Sequence, residues 1–414
     1  MIIDDLKSII TTGRKRVSAK VTWEDCNRPE MEVFLETVMD FAEGLAANPH
    51  AFLVGCIMAA MYHGEKRILI DAEICPELRD GLVTAMKRFA HWYPWYPTDA
   101  PIVRIEAKKR FSKSLPKTDG RRAMFFSGGV DSLATLRNNR INFPIGHPSS
   151  ISDGFLVYGL EIEKPEKFDI VMKTVPKIAK DASLTLIPVY TNLRYLDDTW
   201  RFWEHMLMGS LFSAIAHAFT QRINSVLIAS HYDIPYLEKP YGSHPLIDSN
   251  YSSSDLRVKH DRPLPRLKKT KMISDWDCAL ENVRVCNKTN LYESDQINCS
   301  ECEKCLRTMM TLLTCDALKR STAFKYDDVS AEMILSTIKL NKTIYSFYPE
   351  LVQPLRDAGR NDLANIIQEK LNEYLNPPVP KKPLDRRIVE IISKIDKDLL
   401  NRSLSKINKA FINI

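Results

Sequence analysis

Apolar positions in this chain run in two patterns, and each predicts its own elements. From Ala51 to Tyr62 the stretch AFLVGCIMAAMY is apolar at nearly every position. It is too long for one strand and too short to cross a bilayer, so it predicts a buried helix. RILID then predicts a short strand, CPELRDGLVTAMKRFAHWY a helix and APIVRIEA a further strand. Residues 1–118 therefore read as a small α/β N-terminal domain. The polar, basic segment KKRFSKSLPKTDGRR follows as a linker. From Ala123 the pattern changes to strand, loop and helix in alternation. AMFFS leads into a helix, GFLVYGLEI and SLTLIPVY are apolar strands, TWRFWEHMLMGSLFSAIAHAF is one long helix, and SVLIAS is another strand. Such alternation predicts an α/β fold, a parallel sheet with helices on its faces, over residues 119–316. Residues 317–414 form a helical C-terminal region, through AEMILSTIKL, DLANIIQEKLNEYL and DRRIVEIISKIDKDLL, the last set off by PPVPKKP.

Composition narrows this picture only a little. At 414 residues the chain exceeds one small core, and its 44% hydrophobic and 27% charged residues are those of an ordinary globular protein. A net charge of +6 is too mild to point to nucleic acid. The start MIIDDLKSIITTGRKR lacks the apolar core of a secretory signal, and no run is long enough for a membrane span, so a cytoplasmic chain is expected.

The first chemistry lies at MFFSGGVDSLATL, residues 124–136. An apolar strand ending in Ser-Gly-Gly before a helix is the layout of an anion cradle. Backbone N–H groups of the loop and first helical turn converge on phosphate oxygens there. Gly128 and Gly129 let the backbone approach closely, Ser127 and Ser132 add hydroxyls, and Asp131 is placed to hold Mg²⁺. No Gly-Lys-Ser/Thr follows, so this is not a Walker A loop, nor is it the dinucleotide Gly-x-Gly-x-x-Gly. SGGVDS resembles the pyrophosphate loop of the adenine nucleotide alpha hydrolase-like ATPases, which split ATP between the α and β phosphates and adenylate a substrate. The resemblance implies a Rossmann-like parallel-sheet core, ATP and Mg²⁺ held by Ser127, Gly128, Gly129, Asp131 and Ser132, and adenine near Tyr158 and Gly159.

Nine cysteines are unevenly spread. Cys26, Cys56, Cys75, Cys278 and Cys315 are scattered like small buried hydrophobes, whereas Cys286, Cys299, Cys302 and Cys305 fall within twenty residues. Their spacing is Cys-x12-Cys-x2-Cys-x2-Cys, and four thiolates complete a tetrahedral structural Zn²⁺. An iron–sulfur cluster is the rival metal, although ferredoxin-type motifs usually continue to a fourth Cys and a Pro, and here Leu306 and Arg307 follow instead. Within the pyrophosphate-loop ATPases this arrangement resembles 7-cyano-7-deazaguanine synthase. Enzymes of that family convert a 7-carboxy-7-deazaguanine to an amide and a nitrile with ATP, ammonia and a structural zinc.

The likeness covers roughly residues 120–315. The synthases' Tyr-Pro-Asp-Cys stretch is replaced here by KPYGSHPLIDSNYSSSDLRVKHDRPLPRLKKTK, residues 239–271. The chain therefore resembles the wider synthase-like group, some of which are associated with antiviral defence and attach a deazaguanine to a protein N-terminus. Arg266 and Lys269 in this basic interval are expected to neutralise departing pyrophosphate. His260 and Asp261 belong to the same interval, and His231 and Asp233 follow SVLIAS at a strand's carboxyl end. His205 and His217, inside the long helix, read as packing or surface residues.

The expected activity is thus ATP-dependent ligation of a small carboxylate to a nitrogen nucleophile, with a partner protein as possible acceptor. The sequence leaves two alternatives open: an RNA-thiolating enzyme with the same loop, and a non-catalytic nucleotide-gated interaction module.

Overall fold

The computed structural model describes residues 1–93, 102–109, 120–160, 165–238, 240–286 and 296–377. Ten strands form one sheet: β1 (Ile2–Thr11), β2 (Arg14–Thr22), β3 (Met31–Val38), β4 (Arg67–Glu73), β5 (Arg104–Lys109), β6 (Arg122–Phe125), β7 (Ile151–Tyr158), β8 (Thr185–Thr191), β9 (Ser225–Ile228) and β10 (Arg257–His260). Their order across the sheet is β10-β9-β6-β7-β8-β3-β2-β1-β4-β5. β10, β9, β6, β7 and β8 are mutually parallel, as the alternating pattern predicts. β3, β2 and β1 then pair antiparallel, and β4 and β5 add a parallel far edge.

The seam between β8 and β3 is held by more than the ladder. Thr191 Oγ1 donates to the Phe34 carbonyl at 2.7 Å, and the Asn192 side chain bonds Phe34 N and the Glu32 carbonyl, both at 2.8 Å. One sheet therefore runs across residues 118/119, where the composition shifts.

Around the sheet lie α1 (Pro49–Tyr62), α2 (Pro76–Trp92), α3 (Val130–Asn142), α4 (Pro165–Asp181), the short α5 (Trp200–Phe202), α6 (Met208–Ala218), the short α7 (Pro245–Asp248), α8 (Arg266–Ile273), α9 (Asp277–Asn282), α10 (Glu303–Leu313), α11 (Ala331–Thr337), α12 (Pro349–Asp357) and α13 (Asn361–Leu375). α1 starts at a proline behind Asn48, whose side chain accepts from His50 N, and it is buried all round, as an apolar helix must be.

Along β6 successive side chains go to opposite faces: Ala123 and Phe125 join the core of α1, α2 and α6, while Met124 and Phe126 join that of α3 and α4. The second core also takes in α10, α12 and α13 through Leu306, Leu351, Leu355, Leu363 and Ile367, and so runs across residues 316/317. DRRIVEIISKIDKDLL lies outside the described residues. Among these, no helix is long and apolar enough to cross a membrane.

The long predicted helix differs from expectation. A π-turn at Trp203–Leu207 joins α5 to α6. β1 to β3 and β10 are strands that the apolar pattern does not announce, because charged residues alternate along them; in β10, RVKH, only Val258 is fully buried.

Two histidines buried between α1 and α6 give a stability prediction. His50 and His217 face each other with ring centroids 5.6 Å apart, and His50 Nε2 accepts from Cys75 N at 2.9 Å, so its ring is neutral. Burial pushes His50 down to about 4 and His217 to about 3. The unfolded chain binds protons below its ordinary value of 6.5 and the folded chain does not, so stability is lost as pH falls from 6.5 towards 4. Each ring contributes a slope of up to about 1.4 kcal/mol per pH unit. Urea midpoints at pH 7 and pH 5 measure it, and the slope should flatten in His217→Gln.

Candidate functional site

The pocket forms where the sheet changes direction. From β6 the chain passes through α3 to β7 on one side, and later returns through α6 to β9 on the other. α3 and α6 thus cover opposite faces, which opens a crevice beyond the carboxyl ends of β6 and β9. A pocket of about 390 Å³ lies there, lined by Ser127, Gly129, Asp131 and Ser132 from the loop and by His231, Arg266, Arg284 and Arg307 around it.

The loop has the shape its sequence predicts. Gly128 has φ +72°, which favours glycine, and a Cβ there would lie 2.8 Å from Val175 Cγ2, so a larger residue would be strained and would force the Val175 side chain to move. Gly129 caps α3, and Ser132 Oγ donates to its carbonyl at 2.9 Å. Ser127 Oγ accepts from Gly129 N at 3.3 Å and lies 3.5 Å from Ser132 Oγ. Two hydroxyls and a helix N-terminus therefore face one space.

Asp131 is the electrostatic centre. It accepts from Arg266 Nη1 at 2.8 Å and from Lys269 Nζ at 2.9 Å. Lys269, only 4% exposed, also donates to the Ser230 carbonyl. Burial opposes ionisation of Asp131, but Lys269, Arg266 and their hydrogen bonds override it and hold the carboxyl well below its usual range. Both its oxygens serve those cations, so what the structure shows of Asp131 is that it fixes Arg266 at the pocket and Lys269 behind it. His231 Nδ1 is 3.9 Å away, and its ring stacks on Tyr241. The ring keeps 39% of its side chain accessible, yet protein packed around it, with Lys269, Arg266 and Arg307, pushes its pKa down, so it is neutral at pH 7.

The other expected residues fall elsewhere. Gly159 has φ +95° and packs against the Thr191 carbonyl, and the Tyr158 ring packs on Phe168 and Tyr190; Phe155, Leu156, Val157 and Leu160 around them line the pocket, but these two do not. His260 is buried with its Nδ1 2.7 Å from Asp248 Oδ2, and Asp261 accepts from Thr135 Oγ1, so both tie β10 to its neighbours outside the pocket. Asp233 precedes a 3₁₀ turn and does not line it either.

Cys286, Cys299, Cys302 and Cys305 converge, with all four Sγ atoms within 4.8 Å of one another and all four side chains buried. Adjacent sulfurs lie 3.4, 3.7, 3.8 and 3.5 Å apart. A tetrahedral ion with metal–sulfur bonds of ~2.3 Å requires sulfur–sulfur edges of ~3.8 Å. The four thiols could therefore hold one metal ion such as zinc, and the space between them matches a single ion.

This knuckle is also part of the pocket wall. Asn298 Oδ1 accepts from Val285 N at 2.8 Å and Cys286 N at 3.2 Å, and the neighbouring Arg284 N donates to the Gly128 carbonyl at 2.9 Å. On the other side Cys302 caps α10, which carries Glu303, Lys304 and Arg307 into the lining.

Arg307 is a pocket residue that the sequence marks only as following the cysteine run, with no role assigned to it. Its side chain is 5% exposed, its guanidinium carbon stands 4.0 Å from the Phe347 ring centroid, and its Nε contacts Glu303 at 3.3 Å. Its buried Nη1 and Nε have no hydrogen-bond partner, and Arg266 Nε is in the same state. Burial lowers the Arg307 pKa, yet an arginine stays charged at neutral pH. Unpaired donors on a buried cation at a pocket wall call for an anion. The one signal for it in the residues is a lone cation inside the apolar face of LRTMMTLL. Thr343, Ile344 and Phe347 of the C-terminal region close the same wall.

No protein-family model matches this chain, and neither does any curated protein or solved structure.

Proposed function

We propose that this chain is an ATP-dependent carbon–nitrogen ligase of the pyrophosphate-loop type, resembling the 7-cyano-7-deazaguanine synthase-like group. The observation that carries the reading is the anion cradle of Ser127–Ser132, opening into a pocket beside the unpaired donors of Arg307. Gly128 and Gly129, Ser127 and Ser132 would hold phosphate oxygens of ATP, with Arg266, Arg307 and Lys269 neutralising their charge. Asp131 and Ser132 offer hard oxygens toward Mg²⁺, which would have to share the Asp131 carboxylate with Arg266 and Lys269 and would add further charge neutralisation. The four cysteines would hold a structural zinc.

In the reaction a carboxylate oxygen attacks the α-phosphorus of ATP. The bond to the β-phosphate oxygen breaks, pyrophosphate leaves, and an acyl-adenylate remains. A nitrogen nucleophile then attacks the acyl carbon and loses a proton, AMP departs, and an amide is formed. The carboxylate would belong to a 7-deazaguanine-like base. The acceptor would be an amine of a partner protein, in keeping with a role in antiviral defence. Thiolation of RNA would require a catalytic cysteine or a redox cluster, and none of the described residues lining the pocket is a cysteine.

The test is product analysis after incubation with ATP, Mg²⁺ and 7-carboxy-7-deazaguanine, with either ammonia or a protein encoded by a neighbouring gene. AMP and pyrophosphate in equal amounts are expected, with a mass increase on the protein. ADP and phosphate as products would exclude α–β cleavage. Efficient conversion of the free base to its nitrile, with no protein labelled, would remove the protein acceptor from the proposal.

A further inference from the structure

Two adjacent residues of the C-terminal region grip an ion pair on α10. Within that helix Glu303 Oε1 lies 3.3 Å from Arg307 Nε. Phe347 presents its ring to Arg307, with the guanidinium carbon 4.0 Å from the ring centroid. The next residue, Tyr348, is fully buried and donates its hydroxyl to the same Glu303 oxygen at 2.8 Å. Among the described residues no hydrogen bond fixes Arg307 Nε or Nη1. The guanidinium is therefore held in place by an ion pair and a ring face.

Phe347 is itself firmly placed. It ends the 3₁₀ turn Tyr345–Phe347, and its N–H donates to the Ile344 carbonyl at 3.1 Å. Asn341 starts the approach to that turn, its Oδ1 accepting from Thr343 N at 2.9 Å and Ile344 N at 3.2 Å. The Tyr345 ring stacks on Tyr374 of α13, with centroids 4.9 Å apart. Phe347 lines the pocket, and its ring meets His231 edge-on at 5.9 Å and lies parallel to Tyr232 at 6.0 Å. A guanidinium within about 6 Å of a ring centroid is attracted to the negative face, more strongly where water is excluded.

We infer that Phe347 is a positioning residue, whose ring holds the Arg307 guanidinium in the orientation that meets an anion in the pocket. The C-terminal region is then a working part of the site rather than an appendage. A cation stabilises phosphate charge best when it is oriented before the ligand arrives, because its rotamer freedom need not be removed on binding. Phe347 does this from outside residues 120–315, through Arg307 and not by contact with reacting atoms. The inference rests on the anion-binding reading of the pocket and assigns part of that work to the C-terminal region.

Calorimetric titration of inorganic pyrophosphate into the full chain and two variants tests it. Phe347→Leu keeps an apolar side chain but removes the ring face, and should weaken pyrophosphate about tenfold. Phe347→Tyr keeps the ring face and should bind within about twofold of the unaltered chain. A Phe347→Leu variant that binds as tightly as the unaltered chain, or a Phe347→Tyr variant as weak as Phe347→Leu, would overturn the inference. Hydrogen exchange of the unaltered chain decides where a variant does not fold. Pyrophosphate should slow exchange at residues 127–132, which hold it, and at residues 343–348, which Arg307 steadies through the ring. Slowing at the loop alone would overturn the inference and leave the anion reading standing. No slowing at either place would remove both.

Discussion

Arg307→Met is expected to reduce turnover by about 10²- to 10³-fold, the cost of losing one preorganised cation at developing phosphate charge, while leaving the fold as stable as before or more so. The substitution removes a buried guanidinium with unpaired donors and puts an apolar chain of similar reach against Phe347. Removing one member of an ion pair is costly where it leaves the other charge buried and uncompensated, but Glu303 keeps 19% of its side chain exposed. Glu303, its ion-pair partner, keeps the hydrogen bond from Tyr348 Oη at 2.8 Å. Asp131→Ala should behave in the opposite way in stability. It leaves Lys269, 4% exposed, and Arg266 without their counter-ion, at a cost of about 3–5 kcal/mol. The Asp131 contribution is fully present above the ordinary carboxyl value of 3.8 and is lost as pH falls through the lower folded value. Turnover and urea midpoints on both variants separate the two roles. An Arg307 variant that loses stability and activity together would make it a structural cation.

Removal of the metal is expected to have the largest effect on the fold. A structural zinc held by four thiolates contributes on the order of 10 kcal/mol, because the unfolded chain has no preformed site. Cys305→Ala should therefore unravel α10 and its partners in the second core. Arg284 against the Gly128 carbonyl and Arg307 on α10 both depend on the knuckle, so anion binding should disappear before the first core melts. Elemental analysis of the unaltered protein should find about one zinc per chain. Iron with acid-labile sulfide would replace the single ion by a cluster. A chelated protein that still binds pyrophosphate would break the link between knuckle and pocket.

The parts of this protein that local pattern dictates are readable in its residues. The apolar runs of β6 to β9, the strand-loop-helix of Ser127–Ser132 and the four clustered cysteines each carry their own signal within a few residues. Arg266 and Lys269 can be picked out as cations, but not as the pair held by Asp131, since their side chains meet it only when α8 packs beside α3. His260 and Asp261 look equally suitable in the same interval, and pairing of β10 with β9 turns them away into structural bonds.

Composition and spacing determined the type of each central element and the residue classes able to bind an anion and a metal, because periodicity, glycine conformation and ligand spacing are short-range properties. The tertiary structure decided how far the sheet extends, since β1 to β3 are half-polar strands whose place depends on a partner at β8. It also decided which cations reach the pocket. Arg307 is one arginine among many in the chain until α10 is anchored by the knuckle and buried beneath Phe347. Buried donors left without a hydrogen bond are what suit it to an anion, and burial depends on contacts between residues far apart in the chain.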